Sequence, residues 1–180
     1  GSSLSYEEMN ALASGAPIGA DKLTFLPFGN GVERILQNVP LGAHLLGLDL
    51  LKHDKQHILR AAQEGIVSAL TYGFRIMKDM GMDLNTVKAG HANMFLSPIF
   101  RETFVQMNQV NLELYDTDGA QGAARGAGIG AGVFASEEEA FHGLALLQTL
   151  APDAAKADRY EEVYRTWLAR LEQLQKSTHN

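Results

Sequence analysis

The chain has 180 residues, of which 46% are hydrophobic and 20% charged, a composition typical of one globular domain with a substantial core. Its formal net charge of −6 argues against general binding of DNA or RNA, because phosphate contacts require clustered lysine and arginine. The lack of cysteine excludes disulfides and thiolate metal sites and fits a cytoplasmic location. No apolar run approaches the roughly 20 residues of a membrane-spanning helix, so we expect no membrane contact.

The N-terminal part predicts a short helix and two strands. A capping box of Ser5 and Glu8 predicts a helix that ends at Ala13. An apolar run bounded by polar and glycine residues predicts a strand at 23–28, and a second strand is expected at 45–48.

A long helix follows, with Asp54 as its N-cap and Gly81 as the residue after its end. His53 and His57 lie one helical turn apart, which suits a metal pair, but helix capping explains them better because no carboxylate partner stands out. The buried face of the helix is predicted from apolar residues that repeat every three or four positions: Leu59, Ala62, Ile66, Leu70, Phe74 and Met77.

The middle of the chain predicts a strand, a helix and a second strand. The first strand is expected at 86–89, and Ser97 followed by Pro98 marks the N-cap and first residue of a helix. Alternating apolar and polar residues predict the second, half-buried strand at 110–115. The apolar side of the helix is expected to consist of Ile99, Phe100, Phe104 and Met107.

The C-terminal part begins with a glycine- and alanine-rich stretch at 119–134. Ser136 with Glu139 forms a second capping box and predicts a short helix through Leu144. A final helix is expected at 155–176, and its inner stripe comprises Tyr160, Val163, Trp167, Leu171 and Leu174. Strands that alternate with helices predict an α/β domain with crossover connections.

Two small-residue loops, at 88–95 and 116–124, follow the two predicted strands of the middle region. Ligands of open α/β sheets bind at the carboxyl ends of the strands, where small residues let backbone amides approach a ligand and a helix N-terminus favours an anion. A nucleotide is the natural candidate. Spacing alone, however, favours a ligand-free helix at 119–132 that packs tightly against its neighbour, and the first loop suits a simple tight connection. Neither loop fits a Walker A or a dinucleotide fingerprint.

The remaining polar candidates are weaker. His91 can contact a base or a phosphate, but a single loop histidine is more often only a polar loop residue. The acid groups of Glu33, Asp116 and Asp118 fit ordinary surface loops equally well. No nucleophile–base pair or carboxylate dyad emerges from the spacing, so no catalytic residue is predicted in this chain.

Four segments carry a family resemblance. Residues 23–34 read LTFLPFGNGVER, residues 60–70 read RAAQEGIVSAL, residues 97–102 read SPIFRE and residues 119–127 read GAQGAARGA. In order, they resemble the LPYLNGER segment, the RAVLEGVAFAL helix, the helix opening after the glycine loop and the GAALGAA adenosine segment of the FGGY carbohydrate kinases. The resemblance is closest to the xylulose kinases and runs from about residue 5 to residue 174.

This resemblance implies a partial actin-like, ribonuclease-H-like ATPase lobe, with helices packed on an incomplete sheet. It also implies ATP and Mg²⁺ as cofactors, and a sugar hydroxyl that attacks the γ-phosphate after deprotonation by an Asp base. By position, the nucleotide contacts fall on Gly90, His91, Ala92 and Asn93 on one side and on Gly119, Gln121 and Gly122 on the other.

The first loop departs from the family pattern. The family usually has GGGA, whereas this chain has Ala89-Gly90-His91-Ala92, followed by additional residues before the next helix. We expect the added Cβ atoms and the imidazole to narrow or reshape the nucleotide pocket. The TPH that usually follows GER in the family is replaced by Ile35-Leu36-Gln37.

The family places its sugar lobe, its Asp base and its phosphate hairpin before the segment that begins here. We therefore expect residues 5–176 to be the C-terminal nucleotide-binding lobe of a sugar kinase, truncated at its N-terminal side. Residues 1–4 are then a linker or cloning remnant, and residues 177–180 a tail. The chain alone is expected to be inactive, and its open sheet edge and apolar surface favour a homodimer.

The full-length protein is predicted to phosphorylate D-xylulose to D-xylulose 5-phosphate. One alternative is a kinase of another ketose, a polyol or a sugar acid, because the sugar contacts lie mainly outside this chain. A second alternative is a binding or assembly module of the same fold without catalysis, which the altered glycine loop favours.

Overall fold

A computed structural model describes residues 4–29 and 32–178. Within these residues, no helix is both long enough and apolar enough to cross a membrane. The α-helices are α1 (Tyr6–Ala13), α2 (Lys55–Asp79), α3 (Pro98–Asn108), α4 (Gly119–Gly130), α5 (Glu137–Phe141) and α6 (Ala154–Thr178). The strands are β1 (Thr24–Pro27), β2 (Ala43–Leu46), β3 (Thr86–Gly90), β4 (Asn111–Tyr115) and β5 (Leu146–Leu150).

The strands form two small sheets. β1 and β2 pair as an antiparallel hairpin, whereas the second sheet has the order β3-β4-β5. β3 and β4 are parallel and joined by α3, which is the crossover that the sequence predicts. β5 returns antiparallel to β4 and makes the outer edge.

The core lies between the helices α2, α3 and α6 and the strands β1 and β4. Leu112 and Leu114 of β4 are fully buried, which confirms the alternating pattern predicted for this strand. The predicted apolar side of α3 is also buried. Trp167 of α6 is 2% exposed, and its Nε1 donates a hydrogen bond to the carbonyl oxygen of Phe25, 3.0 Å away. The two sheets therefore share one core through α6.

The predicted helix starts are confirmed by their caps. The Ser5 side chain accepts from the backbone N–H of Glu8, and the Glu8 carboxylate accepts from the backbone N–H of Ser5. Asp54 caps α2 in the same reciprocal way, with His57 as its partner. Ser97 caps α3 directly before the predicted proline. Each cap satisfies amides that the first turn of a helix cannot pair internally.

The buried face predicted for α2 is wrong. Leu70 is 44% exposed, whereas Glu64 is 3% exposed and Val67 and Ser68 are fully buried. The true inner face is rotated toward small and polar residues because α1, β1 and α3 supply the packing partners. The C-terminal part of the predicted apolar stripe instead lines an open groove of about 1010 Å³ beside β1: Ile66, Leu70, Phe74 and Met77.

The inner face of α2 carries a buried ion pair. The Arg60 guanidinium donates to the Glu64 carboxylate at 2.7 Å and to the carbonyl oxygen of Ala16 at 3.1 Å. Glu64 also accepts from the backbone N–H of Gly19 at 3.0 Å, which fixes the turn before β1. Burial raises the pKa of the Glu64 carboxyl, although the nearby Arg60 charge opposes this shift.

Two further expectations need correction. The helix predicted to reach Leu144 ends at Phe141, and the next segment forms β5, which the sequence did not indicate. The strand predicted at 45–48 lies two residues earlier, at Ala43–Leu46 (β2). It ends before Gly47, because this residue has a φ of 80° and leaves the extended conformation. Asn30 and Gly31, two of the residues that bound the strand predicted at 23–28, lie outside the described residues.

Candidate functional site

Both small-residue turns lie at the same edge of the β3-β4-β5 sheet. β3 and β4 are parallel and in register, with Gly90 opposite Tyr115, so both strands end at one level. The end of β3, with Gly90, and the turn after β4 border a single cleft of about 650 Å³. The parallel pairing thus brings together two segments that are separate in the sequence.

The two turns touch through their backbones. A Cβ atom at Gly90 would lie 2.4 Å from the carbonyl oxygen of Thr117, so only glycine fits there without a shift of the backbone. The carbonyl oxygen of Tyr115 accepts hydrogen bonds from the backbone N–H groups of His91 at 2.9 Å and Thr117 at 2.8 Å. These contacts hold the floor of the cleft in a defined shape.

The second glycine-rich segment is a helix, as spacing alone favours, but it does not pack tightly. No residue of α4 is buried, and a Cβ at Gly119, Gly122 or Gly126 would meet no atom within 4 Å. Asp118 caps the helix, since its carboxylate accepts from the backbone N–H of Gln121 at 2.8 Å. Gly119 and Gly122 therefore leave open space along the cleft, whereas Gly128, at the far end of the helix, lies close against the Phe134 ring.

A third wall comes from α5 and the turn after it. Phe141 and Leu144 supply apolar surface, and Glu137 and Glu138 supply carboxylates. Hydrogen bonds to its own backbone amide and to the Ser136 hydroxyl lower the pKa of Glu138, so it is ionised at neutral pH.

One buried polar atom of the cleft lacks a protein partner. Thr117 lines the cleft, and its buried hydroxyl oxygen has no hydrogen-bond partner among the described residues. A buried hydroxyl without a partner typically costs about 1–3 kcal/mol. A ligand that hydrogen-bonds this group would therefore gain affinity.

The predicted site residues divide into two groups. Gly90, Gly119 and Gly122 line the cleft, whereas His91, Ala92, Asn93 and Gln121 do not. The His91 ring instead lies 3.3 Å from an Arg101 nitrogen, measured to Nε2. A ligand role for the seven predicted residues stays a prediction.

The seven predicted site residues omit nine lining residues of the cleft: Lys88, Ala89, Tyr115, Thr117, Asp118, Glu137, Glu138, Phe141 and Leu144. Lys88 and Thr117 belong to the predicted loops, so the strand ends could have identified them. The residues of α5 carry no such signal, because only the fold brings this helix to the sheet edge.

The side chains of His53 and His57, at the N-terminal end of α2, interact with other groups of the protein. Nδ1 of His57 lies 2.8 Å from the Asp54 carboxylate in the helix cap, and Nε2 lies 3.4 Å from Asp21. Nδ1 of His53 accepts from the backbone N–H of Asp49 at 2.9 Å. Within 4–29 and 32–178, no group of three or more His, Cys, Asp or Glu residues is placed to hold a metal ion.

Comparison with known proteins points to one class of enzyme, although no protein-family model matches the chain. The chain is 29% identical to a xylulose kinase of Haemophilus influenzae over 95% of its own length and 35% of the relative. It is 26% identical to an L-xylulose/3-keto-L-gulonate kinase of Escherichia coli over 91% of its length and 32% of the relative. The chain thus spans about a third of the length of these curated relatives.

A solved structure agrees. The crystal structure of xylulose kinase from Rhodospirillum rubrum matches with a TM-score of 0.77 and 25% identity, over 97% of this chain and 35% of that one. The mixed α/β architecture is accordingly a partial lobe of the actin-like ATPase fold of sugar kinases. The chain is therefore similar to xylulose kinases, and its match corresponds to the C-terminal portion of those enzymes.

Proposed function

We propose that this chain is the nucleotide-binding part of an ATP-dependent sugar kinase of the FGGY family. In the full-length protein, the γ-phosphate of ATP would pass to D-xylulose and give D-xylulose 5-phosphate. The proposal is carried by one observation: Gly90 at the end of β3 and the glycine-rich turn after β4, distant in sequence, border one cleft.

The cleft suits the nucleoside end of a nucleotide. Its volume of about 650 Å³ lies within the roughly 300–1,000 Å³ of small-molecule sites. The open space at Gly119 and Gly122 admits a ligand, and the Phe141 ring offers a surface on which a base can stack. The Thr117 hydroxyl, buried directly behind this lining and without a partner among the described residues, is a further polar group of the cleft.

The roles proposed for this chain are binding and orientation. Mg²⁺ would arrive with the phosphates, where it neutralises charge during phosphoryl transfer. The sequence predicts no catalytic residue here, so the acid–base step is assigned to the rest of a full-length kinase. The 180-residue chain alone should therefore not phosphorylate xylulose.

The sugar is the least constrained part of the proposal. Xylulose is supported by the name of the Haemophilus relative, and another ketose or a sugar acid by the name of the Escherichia relative. Full-length protein assayed with D-xylulose, L-xylulose and 3-keto-L-gulonate would rank them by kcat/KM. A homodimer is likewise a proposal, which analytical ultracentrifugation of the chain tests directly.

Calorimetric titration of the chain with ADP tests the nucleotide site. Saturable binding that weakens in Gly122→Leu supports the proposal, because the new side chain projects into the cleft. Binding that is absent in both the 180-residue chain and a longer protein containing it would favour the alternative of a non-catalytic assembly module.

A coupled ATPase assay tests the inactivity of the chain. Turnover of D-xylulose by the 180-residue chain at a rate near that of a full-length kinase would contradict the assignment of the chemistry to another lobe. Heat-denatured chain is the matched blank.

A further inference from the structure

A small polar cavity lies between α2, α6 and the turn before β1. Its volume is about 210 Å³, and none of its lining residues also lines the cleft at β3 and β4. For comparison, an apolar cavity of about 150 Å³ holds one benzene molecule, so a cavity of this size has room for about eight non-hydrogen atoms. That is the size of a four-carbon polyol.

The cavity contains a buried carboxylate with one oxygen that no protein group satisfies. Glu64 lines the cavity and is 3% exposed. Its Oε1 accepts both of its hydrogen bonds, from Nε of Arg60 at 2.7 Å and from the backbone N–H of Gly19 at 3.0 Å. Among the described residues, no group donates a hydrogen bond to Oε2. Because a desolvated acceptor without a donor is unfavourable, the cavity favours an occupant that donates to this oxygen.

The charges around the cavity cancel, which favours a neutral occupant. The charged lining residues are two cations and three carboxylates: Lys22, Arg159, Asp21, Glu64 and Glu162. Arg60, which forms the ion pair with Glu64, supplies the third positive charge, so +3 and −3 sum to zero. A charged ligand would upset this balance in a partly desolvated site, whereas a hydroxyl group would not.

The rim of the cavity is a strained turn. Ala20, Asp21 and Lys22 have φ angles of 42°, 53° and 73°, a left-handed conformation that residues other than glycine rarely adopt. Asp21 and Lys22 both line the cavity. Strained backbone persists where surrounding contacts hold it, and it concentrates at ligand sites. Here the hydrogen bond from Gly19 to Glu64 holds the turn, so one carboxyl group both lines the cavity and fixes its rim.

We propose that this cavity is a binding site for a small neutral polyol of about four carbons. A ligand hydroxyl donates to Oε2 of Glu64, and the Thr166 hydroxyl, which also lines the cavity, is a second polar partner. Hydroxyl groups both donate and accept, so a polyol suits a lining that mixes carboxylates, cations and hydroxyls. The proposal does not depend on nucleotide binding at the cleft.

Trp167 provides a direct readout of the site, because it lines the cavity and is the only tryptophan of the chain. Titration of the 180-residue chain with erythritol should change the Trp167 fluorescence and its indole N–H resonance with saturation at millimolar concentrations. The general stabilisation of proteins by polyols arises from their exclusion from the surface and does not saturate. 1,4-Butanediol has the same four carbons but half the hydroxyl groups, and it should bind about tenfold more weakly or less.

Thr166→Leu tests the location of the site. The larger apolar side chain occupies part of the cavity and removes a hydroxyl, so erythritol should bind about tenfold more weakly or less. The matched control is Ala169→Leu, which adds the same side chain at an exposed position of α6 that does not line the cavity. This control should leave erythritol affinity unchanged.

Three results would overturn the proposal. They are a Trp167 signal that is absent or rises linearly with erythritol, equal affinities for erythritol and 1,4-butanediol, and tighter binding of ethanolamine than of erythritol. The last result would assign the site to a cation. Should Thr166→Leu not fold, the comparison of the ligands on the unaltered chain decides the question. A failure of ADP to bind at the cleft would bear on the proposed function alone.

Discussion

Gly122→Leu should make the protein more stable and its nucleotide binding weaker. Gly122 lies inside α4, and a Cβ built on it meets no atom within 4 Å. The substitution therefore creates no clash. It replaces the residue that most weakens a helix interior, apart from proline, with a good helix former.

The expected magnitudes follow from these two facts. The gain in helix propensity is about 0.5–1 kcal/mol, which for a chain of this size raises Tm by about 1–4 °C. The same side chain projects toward the cleft lined by Phe141 and Leu144, so ADP affinity should fall by about tenfold or more. Differential scanning calorimetry measures the first effect and isothermal titration the second.

Gly126→Leu is the matched control. Gly126 also lies in α4 with no atom within 4 Å of its Cβ position, but it does not line the cleft. It should reproduce the rise in Tm and leave ADP affinity unchanged. Equal losses of affinity in both variants would refute the assignment of the ligand to the cleft, and a lower Tm in both would refute the helical account of α4.

Three further predictions concern the scaffold around the site. Gly90→Ala places a Cβ 2.4 Å from the carbonyl oxygen of the facing turn, and urea denaturation should show a loss of about 1–3 kcal/mol. Arg60→Met leaves the buried Glu64 carboxylate unpaired, at a cost of about 3–5 kcal/mol. Burial raises the pKa of Glu64, so the ionised form of this carboxyl is disfavoured in the folded state. Lowering the pH toward this raised pKa should therefore reduce the loss in unfolding free energy that Arg60→Met causes. A loss that does not change with pH would contradict the ion-pair account. The hydrogen bond with His57 lowers the pKa of Asp54 from its ordinary value of 3.8. The ionised cap therefore stabilises the fold above pH 3.8, and this stabilisation is lost as the pH falls through the lowered pKa. The difference in urea midpoint between the unaltered chain and Asp54→Asn should vanish in strong acid.

Local signals predicted the helix starts and the middle strands well. A cap such as Asp54 or Ser97 satisfies amides within its own first turn, so its effect is contained in a few neighbouring residues. The alternation around Leu112 likewise reflects a strand with one buried face, and the structure buries it. Helix caps and strand alternation depend on interactions between residues close in sequence, so they can be predicted from the sequence alone.

Long-range packing limited the prediction of α2 and β5. Apolar periodicity at Ile66 and Leu70 indicates a face suited to burial, but it does not say which neighbour covers it. β5 reads LLQTL without alternation, and all but its last residue are exposed. β5 is extended because it pairs with β4, for example with Glu113 opposite Thr149. No local sequence pattern predicts this pairing.

The cleft combines both kinds of information, which explains why its position was predictable and its charge was not. Parallel pairing of β3 and β4 forces their turns to one edge, so recognising two strands was sufficient to bring Gly90 and Gly119 together. The third wall depends on α5, which precedes the unpredicted β5 and lies at the cleft only because that strand pairs antiparallel with β4. Glu137 and Glu138 belong to α5, so the same strand pairing places their carboxylates at the cleft. The charge of the cleft lining is therefore a property of tertiary structure, because it depends on which helix the pairing of β5 brings to the sheet edge.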